Sequence, residues 1–232
     1  MNELEKKNLK ELASKLGVKF KDLSLLKKAL IHRSYLNENG VEKSNERLEF
    51  LGDAVLELLT SRFLFDNYQA STEGDLTSFR AALVRTESLA ETSKDLLIGQ
   101  YIYMSKGEET TGGRDRTYIL ANTFEAILGA IYMDQGLESC NTFLSKLLYV
   151  KIKDIVENRL DIDAKSKLQE LAQETLKVTP TYETLSEEGP DHSKTFKMAV
   201  FLGDKKFGVG EGHSKQMAEQ KSASEALKKL QK

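Results

Sequence analysis

Glu46, Glu49, Asp53 and Glu57 recur at spacings of three and four in NERLEFLGDAVLELLTSRFLFD, residues 45–66. On a helix those spacings set them along one stripe. Carboxylates are ligands for hard cations, and their surroundings here make them informative. Leu48, Phe50, Leu51, Ala54, Val55, Leu56, Leu58, Leu59, Phe63 and Leu64 cover most of the circumference, the pattern of a helix buried inside a domain. An unpaired charge in such a medium is costly enough that the group would neutralise, so the carboxylates need a partner. The simplest partner is a cation. Residues 119–133, ILANTFEAILGAIYM, repeat the arrangement: Asn122 and Glu125 are three apart and share a face, and Gly129 is the small residue that admits a neighbouring helix. Two such helices can close four oxygen ligands around a hard divalent ion such as magnesium. On an ordinary helix an acidic pair at this spacing is solvated or salt-bridged, and the apolar setting of both pairs is what favours the metal reading.

The elements that must hold these groups are helical. Periodicity predicts a short amphipathic helix over 4–16 and another over 22–35, with Leu23, Leu26, Ala29, Leu30 and Ile31 on its inner face. His32 lies just past that face and reads as a structural residue rather than a ligand. NENG at 37–40 is a turn, residues 71–75 supply an N-cap cluster for a helix over 76–84, and Thr86 caps the next. MSKGEETTGGRDR, 104–116, reads as a polar loop leading into the second acidic helix, where Arg114 and Arg116 could meet substrate phosphates. A further amphipathic helix is expected over 137–156, and no strand pattern precedes residue 160.

The texture then changes. Both prolines, Pro180 and Pro190, fall in the last third, and TFKMAVFL, 195–202, alternates Phe196, Met198, Val200 and Leu202 to one side. Two further strands (181–186 and 207–210), a GDKK turn and a helix at each end complete an α-β-β-β-α order. The expected organisation is an all-helical domain over 1–156, a short linker over 157–164 and a small α+β domain over 165–232.

Charge has to be read locally, because the 232 residues carry a net charge of only -2. Residues 165–232 hold 12 lysines, no arginine and 10 acidic residues. Lys215 at the start of the last helix opposes the helix dipole and makes sense if a phosphate sits between them. Lysine without arginine, with few aromatics, fits backbone contact better than base readout. The single cysteine, Cys140, excludes an internal disulfide and reads as a half-buried structural thiol. The charged N-terminus has no apolar run long enough for a signal peptide or a membrane span, so a cytoplasmic location is expected.

NERLEFLGDAVL at 45–56, followed in order by EGDLT (73–77), GEETTGGR (107–114) and ANTFEAILGAIYMD (121–134), resembles the signature of bacterial ribonuclease III. GPDH (189–192) and SKQMAEQ (214–220) give the second domain a resemblance to the double-stranded-RNA-binding domain. The resemblance implies a magnesium-dependent homodimeric endonuclease, with manganese as a substitute ion, that cuts double-stranded RNA to 5′-phosphate and 3′-hydroxyl ends and processes ribosomal and other structured precursor RNAs. It implies metal ligands at Glu49, Asp53, Asn122 and Glu125, with Asp53 and Glu125 catalytic. It further implies RNA contacts at Ser166, Gln169 and Gln173, at Pro190 and His192, and at Lys215 and Gln216. Phe50 would plug the partner subunit, Glu46 would lie behind the ligands, and Glu73 would face RNA or the partner. Asn122 departs from the family's Asp: its carbonyl can still bind magnesium, but one negative charge is gone. Natural tolerance, engineered inactivation and an RNA binder that has lost cleavage all follow from that departure, and tolerance is favoured because three carboxylates remain. Gln216 stands where the family usually has a second lysine, which should weaken phosphate affinity slightly.

Overall fold

Local signals in the chain start several of the helices. Asn2 accepts from the Glu5 N–H at 2.8 Å and opens α1 (Glu3–Lys15), while Asp22 does the same for Ser24 ahead of α2 (Leu23–Ala29). A capping box between Thr72 and Asp75 opens α4 (Glu73–Val84), which follows α3 (Glu46–Asn67). Then come α5 (Thr86–Asp95), α6 (Lys106–Thr110), α7 (Thr117–Gln135), α8 (Leu137–Leu147) and α9 (Ile152–Asn158). The second part is α10 (Ala164–Thr175), β1 (Pro180–Glu188), β2 (Thr195–Leu202), β3 (Lys205–Gly212) and α11 (Lys215–Leu230). This computed structural model describes residues 1–36, 43–158, 164–190 and 194–230. The expected turn at 37–40 and most of the expected linker lie outside the described residues. Contacts divide the chain into two units, Met1–Asp161 and Ile162–Lys232.

In the first unit α7 is the axis. Eleven of its residues, from Ile119 to Ile131, are buried, and α3, α5, α2 and α8 pack around it. Phe124 and Phe143 meet at 5.3 Å between centroids inside this core. Cys140 is fully buried rather than half-buried, its thiol donating to the Leu128 carbonyl at 3.7 Å. The helix expected over 22–35 ends at Ala29, because the backbone beyond it finds partners far along the chain. Ile31 forms a parallel bridge with Tyr103, the His32 N–H donates to the Tyr103 carbonyl at 2.9 Å, and the Asn45 N–H donates to the Ile31 carbonyl at 2.9 Å. The helix expected over 137–156 is broken by a 3-10 turn at Tyr149–Lys151. Thr86 sits inside α5, with Arg85 in the cap position.

The second unit is a three-stranded antiparallel sheet in the order β1-β2-β3, with α10 and α11 packed on it. Its hairpin turns at Gly203, whose φ of +60° is the left-handed conformation glycine adopts without penalty. Gly208, Gly210 and Gly212 alternate along β3 toward α11, and a Cβ on Gly208 would come within 2.1 Å of the Ser222 carbonyl. Small residues on both surfaces, with Ala218, Ala223 and Ala226 opposite the glycines, let the helix lie almost on the strand backbone.

Candidate functional site

α3 and α7 cross where neither has a side chain. A Cβ on Gly52 would stand 1.8 Å from the Glu125 carbonyl oxygen, and one on Gly129 2.2 Å from the Leu48 carbonyl oxygen. Helices usually pack 8–10 Å apart with side chains between them; here backbone meets backbone. Glu49 and Asp53 flank Gly52 on one helix, and Asn122 and Glu125 precede Gly129 on the other, so the crossing brings the two pairs near one another.

The electrostatics register that convergence. Burial raises the Glu125 carboxyl to about 7, and the charges of Asp53 and Glu49 push in the same direction. Burial also raises Glu49, with Glu46 and Asp53 adding to it, while the Asn122 amide and the more distant Arg33 draw it back down. The arrangement is less enclosed than the sequence pattern predicts: Asp53 and Glu46 are exposed, and Glu49 and Glu125 are half-buried. Nor does the acidic stripe stay together, because Glu57 turns away to Arg80 at 3.0 Å. Among the described residues no three His, Cys, Asp or Glu side chains already meet at one point. Raised carboxyls at Glu49 and Glu125, each pushed further by neighbouring negative charge, are what such a donor set shows without positive charge between its members. With the Asn122 carbonyl they form an all-oxygen set of the kind a hard divalent cation takes, so the residues present fit such an ion.

Other expected residues fall into three places. Glu46 accepts from the Ser44 hydroxyl at 2.7 Å and lines a pocket of about 240 Å³ beside Glu49 and Asn122. Glu73 lies elsewhere, accepting from the Thr77 hydroxyl at 3.1 Å along a groove of about 600 Å³ between α3 and α4 that Leu58, Phe65 and Leu76 line. Phe50, Leu58 and Phe65 are 81%, 57% and 71% exposed, so α3 is not buried all round as its composition suggests; one apolar face is open. The segment 104–116 is folded rather than a free loop. Arg114 pairs with Glu109 at 2.7 Å and donates to the Gly99 and Ile102 carbonyls, and Arg116 pairs with Glu108 at 2.6 Å. In this structure both guanidiniums are held by the fold.

In the second unit Ser166, Gln169 and Gln173 share one exposed face of α10, and Lys215 and Gln216 are exposed at the start of α11. Lys215 reaches Glu187 of β1 at 2.6 Å and lies 5.6 Å from the Phe196 ring centroid, a pairing that local sequence gives no means of finding. Pro190 is exposed; His192 lies outside the described residues. Of the residues that build the site, sequence reasoning missed Gly52. Its cue was available, since a glycine inside an apolar helix three residues past the acidic Glu49 is the counterpart of Gly129, four past Glu125.

An acid-lined centre in a helical unit, on one chain with an α-β-β-β-α unit whose exposed polar groups suit a phosphate backbone, defines a class: a nuclease-type domain with a duplex-RNA-binding domain. The family description "Ribonuclease-III-like" matches residues 22–152 and "Double-stranded RNA binding motif" matches 164–230. The chain is 42% identical to a protein named Ribonuclease 3 from Roseiflexus sp. (strain RS-1) over 97% of both chains. It is 46% identical to Ribonuclease 3 from Bacillus cereus (strain G9842) over 95% of this chain and 91% of that one. The nuclease domain of ribonuclease III from Campylobacter jejuni is 42% identical, with a TM-score of 0.57, covering 61% of this chain and 93% of that one. A second structure of that domain, described as showing flexibility in the region involved in dimer formation, is 43% identical with a TM-score of 0.55, covering 59% of this chain and 92% of that one. The chain belongs to the ribonuclease III family. No helix among the described residues is long and apolar enough to cross a membrane.

Proposed function

We propose that this protein is a magnesium-dependent endoribonuclease that hydrolyses double-stranded RNA to 5′-phosphate and 3′-hydroxyl ends, working in the cytoplasm on ribosomal and other structured precursor RNAs. The observation that carries the reading is the approach of Glu49, Asp53, Asn122 and Glu125 across the Gly52 and Gly129 crossing. Glu49, Asp53 and Glu125, with the Asn122 carbonyl, would hold the ion; manganese suits the same oxygen donors. When bound, the ion supplies a water of lowered pKa and neutralises charge that develops on the phosphodiester. The chain's own residues do the rest. Glu125, raised to about 7, shares its site with a proton near neutrality and gives it up as positive charge approaches, while Asp53 is open to solvent. The Asn122 amide also steadies the charged form of Glu49.

A homodimer is part of the proposal. Phe50, Leu58 and Phe65 present an apolar face on α3 next to the groove that Glu73 lines, and a second copy would cover it. The duplex-holding role goes to Ser166, Gln169 and Gln173, to the segment with Pro190 and His192, and to Lys215 and Gln216.

Two measurements address this reading. Asn122→Asp is expected to change the magnesium-saturated cleavage rate by less than about tenfold, because three carboxylates already supply the charge a magnesium site needs. It should also lower the magnesium concentration required. A rise of several orders of magnitude would instead make Asn122 inactivating and the chain a duplex-RNA binder. Removing residues 159–232 is expected to weaken duplex binding at physiological salt by at least about tenfold and to flatten its salt dependence, since phosphate contacts dominate affinity there. Unchanged affinity in a gel-shift titration would show that the second unit does not hold the substrate.

A further inference from the structure

The pocket of about 240 Å³ beside the carboxylates is lined by His32, Arg33, Glu46, Glu49, Tyr118 and Asn122. It lies where the turn after α2 meets the first turns of α3 and α7, and the second of those helices has no side-chain cap. Arg33 differs from its neighbours. Arg114 and Arg116 are each tied to a carboxylate, whereas the exposed Arg33 side chain, like that of Arg47, forms no ion pair or hydrogen bond among the described residues, and of the two Arg33 lines the pocket. The backbone beneath it is nonetheless fixed. The His32 N–H donates to the Tyr103 carbonyl at 2.9 Å, His32 Nδ1 lies 2.9 Å from the Ser34 hydroxyl, and the Ser105 N–H donates to that same hydroxyl at 3.0 Å. Among the described residues this guanidinium is thus uncommitted, on a backbone held by hydrogen bonds at the rim of an acid-lined centre.

We propose that this pocket is a phosphate subsite and that Arg33 binds the RNA backbone phosphate adjacent to the one hydrolysed. The proposal rests on the nuclease reading above and deepens it. A guanidinium fork takes two oxygens of one phosphate and fixes its orientation as well as its position. Holding that neighbour fixes where the scissile phosphate lies relative to Glu49, Asp53, Asn122 and Glu125. The start of α7, which has no side-chain cap, carries a partial positive charge that favours an anion in the same place. Glu46 and Glu49 on the pocket wall disfavour a free anion, so the subsite selects a phosphate delivered by a strand held elsewhere.

The test is single-turnover cleavage of a short RNA duplex by the full chain at saturating magnesium, comparing the unmodified protein with Arg33→Ala and Arg33→Lys. Substrates carry either natural phosphates or one neutral methylphosphonate on either side of the cut. Arg33→Ala is expected to slow cleavage ~100-fold, the scale of losing one well-placed charged donor, with thermal unfolding unchanged. Arg33→Lys should recover about a tenth of the unmodified rate, since it keeps the charge and loses the fork. One methylphosphonate should slow the unmodified protein by a similar factor yet slow Arg33→Ala by no more than about twofold further, the non-additivity of two changes to one contact. Arg33→Ala cleaving within about twofold of the unmodified protein, or responding to the methylphosphonate as fully as it does, would overturn the subsite and leave the nuclease reading standing. An unmodified chain that does not cleave would overturn both.

Discussion

Glu125→Gln is expected to lower double-stranded-RNA cleavage by at least about a thousandfold while leaving duplex affinity within about twofold. The substitution keeps the side chain's size and removes one charge from the centre where charge on the phosphodiester is stabilised, the setting in which a single group has its largest effect on rate. Affinity is assigned to the other unit and should not follow. The same substitution has a stability signature. Glu125 titrates near 7 in the folded protein, against an ordinary value of 4.5, so between those pH values the folded state holds a proton the unfolded state has released. Its contribution is therefore fully present below about pH 4.5, falls as pH rises and is lost through pH 7. In metal-free buffer the unmodified protein should lose about 1–2 kcal/mol between pH 5 and pH 8 from this group, after discounting for its partial exposure. Glu125→Gln should lack that loss and unfold at a higher temperature than the unmodified protein at pH 8. Undiminished cleavage by the variant would remove Glu125 from the site; parallel loss of cleavage and binding would make its role structural.

Gly52→Ala should be the most damaging single methyl in the molecule. The added carbon would lie 1.8 Å from the Glu125 carbonyl oxygen, 2.7 Å from its carbon and 2.9 Å from the Gly129 nitrogen, all backbone atoms with no rotamer to change. α3 and α7 must separate, opening the buried surface around the crossing and carrying Glu49 and Asp53 away from Asn122 and Glu125. We expect a loss of about 3 kcal/mol or more, at or beyond the upper end for overpacked cores, and a cleavage rate reduced by at least about a hundredfold because small displacements of catalytic groups are costly. Gly74→Ala is the internal control. The nearest atom to its new carbon is the Thr72 hydroxyl at 3.8 Å, an ordinary contact, so its melting temperature should match the unmodified protein or exceed it slightly. If the two variants melt together, the helices are not in backbone contact and the geometry of the centre is wrong.

Where the chain signals its structure locally, sequence reading succeeds. The period-2 run over 195–202 is a strand with those same ends, Thr195–Leu202, because alternation is a property of neighbours. The Thr72 and Asp75 signal opens α4 for the same reason, four residues sufficing to build a capping box. The end of α2 is different. Nothing near Ala29 stops a helix; it stops because Tyr103, more than seventy residues away, offers the backbone of Leu30 and His32 its hydrogen bonds. The two arginines of 104–116 illustrate the same limit, since a guanidinium in a polar segment looks free until Gly99, Ile102, Glu108 and Glu109 are seen to hold it.

By itself, then, the chain determined which side chains share a face, where small residues allow close approach and the order in which the elements follow. Those properties come from the 3.6-residue and two-residue repeats and from contacts a few positions apart. Only the tertiary structure decided which face of α3 stays open at Phe50, Leu58 and Phe65, that Glu57 leaves the acidic stripe for Arg80, and that Arg33 lines the same pocket as Glu49. A repeat fixes directions around one axis. Which direction is covered, and which charge finds a partner, depends on a second axis set by contacts between residues far apart in the chain.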